Sequence, residues 1–259
     1  MLLHHEFHPC MQQPAQGCLV FIHGLFGSLS NLGMLARAFE QDYDILQLDL
    51  RNHGLSGHCD SMSYTEMAED VLQTVTELGI EKLILIAHSM GGKVAMKLTA
   101  LAPTRVQGLV VLDIAPVSYQ QRHHDHIFTA LNAVTQAHLE TRQQATELMG
   151  EYIAEAGVIP FLLKSFHRGQ WRFNVSALEK NYAEIIVWQT QAAWQHPCLF
   201  LRGANSAYVA KPEFQQAVQQ QFPQATLSTI EDAGHWLHAE QTTAVIAEIQ
   251  HYLQARVRG

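Results

Sequence analysis

The chain has 259 residues, 47% of them hydrophobic and 15% charged, a globular balance with enough length for one large α/β core or a core carrying an insertion. A net charge of -8, with no cluster of Lys or Arg, excludes a phosphate-tracking surface, so neither nucleic acid nor an anionic lipid surface is an expected partner. There is no basic start followed by an apolar run, and no stretch nears the roughly 18 apolar residues of a membrane span, so the expected location is the cytoplasm.

Cys18 to His23 (CLVFIH) is a short apolar run that ends in a Gly-rich turn, which predicts a buried strand. Tyr43 to Leu48, Lys82 to Ala87, Val106 to Leu112, Cys198 to Leu201 and Ala225 to Ile230 repeat the pattern. Near-continuous apolar strands are buried on both faces, as in a parallel sheet covered by helices. Amphipathic helices are predicted between them at Asn31 to Glu40, Tyr64 to Leu78, Lys93 to Leu101, Lys211 to Gln221 and Thr242 to Ala255. Ser63 with Glu66 three residues on resembles a capping box. The alternation predicts an α/β fold with a mostly parallel, doubly wound sheet.

From 117 to 194 the rhythm breaks. Helical periodicity continues but no convincing buried strand appears, so this stretch is expected to be a helical cap inserted into a core formed by 1–116 and 195–259. Four cysteines, Cys10, Cys18, Cys59 and Cys198, make no CxxC pair or zinc spacing and are expected to be reduced. The 16 histidines include the groups His4, His5, His8 and His123, His124, His126, which lack metal-ligand spacing and are expected at the surface.

The strongest chemical signal is Ala87-His88-Ser89-Met90-Gly91, between the Lys82–Ala87 strand and a following helix. It matches a nucleophile elbow, in which a strained turn lifts the serine hydroxyl clear of the sheet and small flanking residues avoid collision. Ser89 is therefore the expected nucleophile. The helix N-terminus behind it favours a developing negative charge. His23-Gly24-Leu25-Phe26-Gly27 follows the first strand. It is expected to supply one oxyanion N–H from Leu25, with Phe26 as the alternative, beside the N–H of Met90.

In Ala233-Gly234-His235-Trp236, after the last strand, His235 is the expected base, with His238 as a rival. An acid is anticipated after the Cys198–Leu201 strand in a Gly-x-x-Asp-x-x-Val pattern. The sequence there reads Gly203-Ala204-Asn205-Ser206-Ala207-Tyr208-Val209, with Ser206 in the acid's place. Asp113, at the C-terminal end of the preceding core strand, can reach the same histidine and is preferred over Asp232, although it could instead cap the turn into the insertion. Asp49 to Ser56 (DLRNHGLS) is read as a loop tied by side-chain hydrogen bonds, with His53 structural. No metal or organic cofactor is required by this chemistry.

Together these residues resemble the α/β-hydrolase superfamily, and within it a group of bacterial esterases. The similarity covers nearly the whole chain: HGLFGS at 23–28, DLRNHGLS at 49–56, HSMGGK at 88–93, DIAPV at 113–117, FLLKSF at 161–166, WRFNV at 171–175, NSAYV at 205–209 and GHWLHAE at 234–240. Small departures are Ala204, where glycine is usual, and the extra histidines 123 and 126. The resemblance implies a carboxylesterase or thioesterase acting on short acyl esters and acyl-CoA, with its acid after the earlier strand, at Asp113. The small-molecule substrate would enter an apolar acyl pocket that includes Phe26, Phe161 and Trp236. Carbon–carbon bond hydrolysis and a non-catalytic ligand-binding module share the fold. Haloalkane dehalogenase chemistry is excluded because it needs Asp in place of Ser89. Oligomeric state is not legible.

Overall fold

A computed structural model describes residues 1–12, 14–155 and 157–257. Its centre is a seven-stranded sheet in the order β1-β3-β2-β4-β5-β8-β9. The strands are β1 (His5–His8), β2 (Cys18–Ile22), β3 (Asp44–Leu48), β4 (Leu83–His88), β5 (Val106–Leu112), β8 (Cys198–Gly203) and β9 (Ala225–Ile230). All neighbours pair in parallel except β1, which lies antiparallel on β3 at the edge. This is the expected mostly parallel α/β sheet.

Period-two alternation sends successive strand residues to opposite faces. Val20, Ile22, Leu85, Ala87 and Val111 pack on one side with helices α2 (Tyr64–Glu77), α3 (Met90–Leu101) and α9 (Pro212–Gln221). Leu19, Phe21, Ile86, Val110 and Leu112 pack on the other with α1 (Gly33–Arg37) and α11 (Thr242–Val257). In β2 and β4 both faces are covered, so these strands read as apolar runs and not as alternating ones. α2 begins on the capping box: Ser63 Oγ accepts from the Glu66 N–H and the Glu66 side chain accepts from the Ser63 N–H. Pro212 opens α9, where its missing N–H costs nothing.

Between β5 and β8 run α4 (Asp125–Gln136), α5 (Arg142–Met149), α6 (Val158–Leu163), α7 (Val175–Lys180) and α8 (Tyr182–Ile186). Their apolar faces join the α2/α3 side of the core through Phe128, Leu131, Leu162, Phe173 and Tyr182. Tyr64 Oη donates to Ile185 O at 2.6 Å, and Asn174 N–H donates to Asn52 O at 2.9 Å, tying this segment to the sheet's loops. The final helices are α10 (Leu237–Glu240) and α11.

Three local features differ from the sequence-based expectation. β1 (HEFH) is mostly exposed and too short to show a burial pattern. A hairpin of two-residue strands, β6 (Phe166–His167) and β7 (Gln170–Trp171), lies where no strand was expected. Positive φ at Arg168 and Gly169, 48° and 75°, gives its turn the twist that suits tight hairpins. The helix expected at Asn31 to Glu40 is a 3₁₀ turn at Leu29–Leu32 followed by only five α-helical residues. No helix among the described residues is long and apolar enough to cross a membrane.

Candidate active site

β4 runs through His88, and α3 starts at Met90, leaving Ser89 alone to make the turn. Its φ of 52° and ψ of -122° are sparsely populated for a residue with a side chain. The surroundings enforce this conformation. Ser89 N–H donates to Leu112 O at 2.9 Å on β5. A Cβ on Gly91 would lie 2.4 Å from His23 O, so only glycine lets α3 pass so close to the end of β2.

His235 stands in the loop between β9 and α10 and faces both partners. Its Nε2 is 3.0 Å from Ser89 Oγ and its Nδ1 is 2.7 Å from Asp113 Oδ2. A carboxylate oxygen only accepts, so Nδ1 carries the hydrogen and Nε2 offers its lone pair to the serine. The loop is strapped to the end of β8 by Asn205 N–H to Ala233 O at 2.9 Å. The approach is so close that a Cβ on Gly203 would meet Gly234 O at 2.1 Å.

Asp113 follows β5, is fully buried, and has a φ of 54°. Its N–H continues the β5–β8 ladder by donating to Leu201 O at 2.8 Å, which turns the side chain toward β8. There Oδ1 accepts from Gly203 N–H at 3.0 Å, and Oδ2 accepts from Ser206 Oγ as well as from His235. Ser206, in the position where an acid was anticipated, is thus hydrogen-bonded to the acid on the neighbouring strand. The rivals lie elsewhere: Asp232 is exposed, and His238 packs on the His88 ring at 4.4 Å without reaching Ser89.

Burial sets the charge of the surrounding histidines. His53 and His238 are both pulled down to about 3 by desolvation, and His88 and His23 are also lowered, chiefly by burial. Hydrogen bonds fix the tautomers of His88 and His53. His88 Nε2–H donates to His235 O at 2.8 Å, holding the loop that carries the candidate base. His53 Nδ1–H donates to Arg51 O at 2.9 Å, and its Nε2 accepts the Phe26 N–H at 3.1 Å. That bond occupies Phe26, whereas no acceptor for the Leu25 N–H is found among the described residues. Met90 N–H, in the first turn of α3, has no helical partner either. The DLRNHGLS segment is tied as anticipated: Asp49 accepts from Leu29 N–H at 2.7 Å and Leu55 N–H at 2.9 Å.

Two cavities meet at Ser89 and Leu25. One is lined by Phe26, Phe161, Trp236, His235 and His238, so all three expected pocket aromatics reach it. Phe161 and Trp236 face each other at 5.3 Å, whereas Phe26 is almost wholly buried against Phe128 and Phe173. The second is lined by Met90, Lys93, Tyr64, Tyr119, Tyr182 and Tyr208 among others. Tyr208 also stacks on the His235 ring at 4.1 Å. His124, expected at the surface, instead lines both cavities and bonds Tyr182 Oη through Nδ1 at 2.6 Å. Lys93 and His124 gave no sequence signal, because a lone Lys in a helix and one His of a polar triplet both read as solvated groups.

The arrangement can move a proton from a serine hydroxyl to an imidazole while a buried carboxylate stabilises the resulting cation, with two N–H groups beside the serine for a developing oxyanion. The profile of the family described as "alpha/beta hydrolase fold" matches residues 17–147. The chain is 50% identical over 235 residues to "Esterase YbfF" of Escherichia coli (strain K12), covering 91% of this chain and 92% of that protein. It is 35% identical over 247 residues to "sn-1-specific diacylglycerol lipase ABHD11" of Mus musculus, covering 91% and 80%. Among solved structures, a "Marine microorganism esterase" superposes with a TM-score of 0.91 at 33% identity, covering 97% of this chain and 99% of that one.

Proposed function

The chain belongs to the α/β-hydrolase family, and from that premise we propose that it is a serine hydrolase of carboxylic esters and thioesters, acyl-CoA included, working through an acyl-enzyme. The observation that carries the reading is the continuous hydrogen-bonded line from Ser89 Oγ through His235 to Asp113, at 3.0 and 2.7 Å. Ser89 attacks the substrate carbonyl as His235 Nε2 takes its proton, and the oxyanion is held by the Leu25 and Met90 N–H groups. His235 then returns the proton to the leaving alcohol or thiol. Water, activated by the same imidazole, releases the acid. Asp113 holds the Nδ1–H tautomer throughout. Segment 117–194 acts as a cap that closes both cavities over Ser89. The relatives named as esterases and as a lipase support ester hydrolysis over carbon–carbon cleavage or passive binding.

The test is turnover of p-nitrophenyl esters and acyl-CoA thioesters of graded acyl length by the wild type and by Ser89→Ala. Wild-type turnover that falls to background in a folded Ser89→Ala protein is expected. Turnover that persists in the variant overturns the mechanism, and a wild type inactive on every substrate overturns the function.

A further inference from the structure

Two buried imidazoles lock the loop after β2 to the loop after β3. His23 Nδ1–H donates to Gly24 O at 2.7 Å, and its Nε2 accepts the Leu50 N–H at 3.0 Å. His53 Nδ1–H donates to Arg51 O at 2.9 Å, and its Nε2 accepts the Phe26 N–H at 3.1 Å. Each ring spends one nitrogen on its own loop and takes an N–H from the other loop with the second. The ring centroids are 5.0 Å apart, and the two residues are 1% and 0% exposed. Burial pulls His53 down to about 3 and lowers His23, so both rings are neutral and each keeps the lone pair that the exchange requires.

The exchange reaches the proposed oxyanion donor through a turn. Gly27 N–H donates to Gly24 O at 3.1 Å, which closes a β-turn over residues 24–27. Of its two central residues only Phe26 has a positive φ, 61°. That is the type II form, in which glycine is usual at the position of Phe26. A phenylalanine stays in this strained region only where its surroundings hold it. Its N–H is held by His53 Nε2, and its ring by Phe128 and Phe173, each 5.3 Å away. His53 is fixed in turn through Asn52, whose carbonyl accepts the Asn174 N–H at 2.9 Å and whose Oδ1 accepts from Asn174 Nδ2 at 3.2 Å, next to Phe173. Gly24 O and the Leu25 N–H share one rigid peptide plane. The two bonds to Gly24 O, from His23 Nδ1–H and Gly27 N–H, therefore aim the Leu25 N–H. The loop lies against the nucleophile, since a Cβ on Gly24 would stand 3.2 Å from Ser89 Cβ.

We infer that His53 is a positioning residue for the proposed oxyanion hole. By accepting the Phe26 N–H it holds residues 24–27 as a type II turn, and so fixes the direction of the Leu25 N–H beside Ser89. The inference rests on the serine-hydrolase reading and on Leu25 as the donor, and it takes His53 beyond the loop-tying role expected from sequence. Without the acceptor the buried Phe26 N–H is left unpaired. Relief comes from flipping the peptide that joins Leu25 to Phe26 toward the type I form, where φ at Phe26 is negative. That flip shifts the turn against Ser89 and loosens the aim of the Leu25 N–H.

The test compares pentyl trifluoromethyl ketone with pentyl methyl ketone as inhibitors of p-nitrophenyl butyrate hydrolysis. Ser89 Oγ adds to the trifluoromethyl ketone as its proton passes to His235 Nε2, and the hemiketal oxygen carries the negative charge. The methyl ketone stays trigonal. Dividing their inhibition constants isolates what the oxyanion gains from the protein. His53→Leu removes the acceptor. It should lower kcat/KM by roughly 10²-fold, the scale of a misplaced or lost oxyanion donor, and shrink the inhibitor ratio by a like factor. His53→Gln sets Oε1 near the place of Nε2 and should recover part of both losses. His53→Asn, whose oxygen stops at the place of Nδ1, should not. A merely structural role would lower the melting temperature and leave the ratio alone. An unchanged ratio in folded His53→Leu, or equal ratios in His53→Gln and His53→Asn, overturns the proposal. If His53→Leu fails to fold, the Gln and Asn variants decide. A wild type neither active on p-nitrophenyl butyrate nor inhibited by the trifluoromethyl ketone fails the serine-hydrolase reading itself, and the inference falls with it.

Discussion

Asp113→Asn gives the sharpest test of the candidate triad, because every bond of the carboxylate is known. Oδ1 accepts from Gly203 N–H, and Oδ2 accepts from both Ser206 Oγ and His235 Nδ1. An Asn that keeps its oxygen on Gly203 points its NH₂ at His235, and Nδ1 must then become an acceptor. The hydrogen moves to Nε2, which faces Ser89 Oγ 3.0 Å away, and the lone pair that should take the serine proton is gone. The opposite flip sets NH₂ against Gly203 N–H, a buried donor–donor contact that costs about 1–3 kcal/mol. Either way the fold persists, with a melting temperature lowered by on the order of 5 °C. The kcat for p-nitrophenyl butyrate, however, should fall by roughly 10⁴-fold, the loss that follows from the wrong tautomer. That factor equals about 5.5 kcal/mol of transition-state stabilisation. Steady-state kinetics beside thermal melts separate the two effects. A loss below about tenfold in Asp113→Asn, or a larger one in Asp232→Asn, would falsify the assignment of the acid.

Two further outcomes follow from the same geometry. Gly203→Ala places a Cβ against Gly234 O, 2.1 Å away, and must displace the loop carrying His235, so kcat should drop by about 10²-fold for a shift near 1 Å in a protein that still folds; unchanged kinetics would show that the loop has slack. The buried histidines make stability fall with acid. His53 and His238 hold folded pKa values of about 3, below the roughly 6.5 of an unfolded histidine, so the unfolded chain binds protons first as pH drops through 6.5. Their contribution is intact above that pH and shrinks toward pH 3, by on the order of 2 kcal/mol per histidine at pH 5. A urea midpoint equal at pH 7.5 and pH 5 would mean that these imidazoles are not held neutral.

What could be read from the residues follows from how they meet solvent. β2, β4 and β5 are packed on both faces, and that requirement writes itself into the chain as near-continuous apolar runs. β1 meets water on most of its length and is held by edge pairing to β3, so nothing in HEFH demands a strand. The elbow was visible because Gly91 and Ala87 are steric necessities. Lys93 was invisible because its burial is decided by α8 and the Ile186–Val187 carbonyls, more than ninety residues away in sequence.

The candidate acid, Asp113, illustrates how a proposed site can move along a chain and stay in place in space. β5 and β8 are adjacent and parallel, with Leu112 opposite Leu201, so the residues that follow the two strands emerge at the same edge of the sheet. Asp113 uses one strand end and Ser206 the other, and the two side chains meet in a hydrogen bond. A carboxylate at either end can face the same imidazole, provided the other end offers a donor instead of a second charge. Two carboxylates there would repel, and one would hold a proton. Ser206 meets that condition: its hydroxyl fills the place of the anticipated acid and donates to the oxygen that also binds His235 Nδ1. The serine in the Gly203–Val209 segment is therefore best understood as the complement of Asp113, and a sequence with acids at both positions, or at neither, should not build this site.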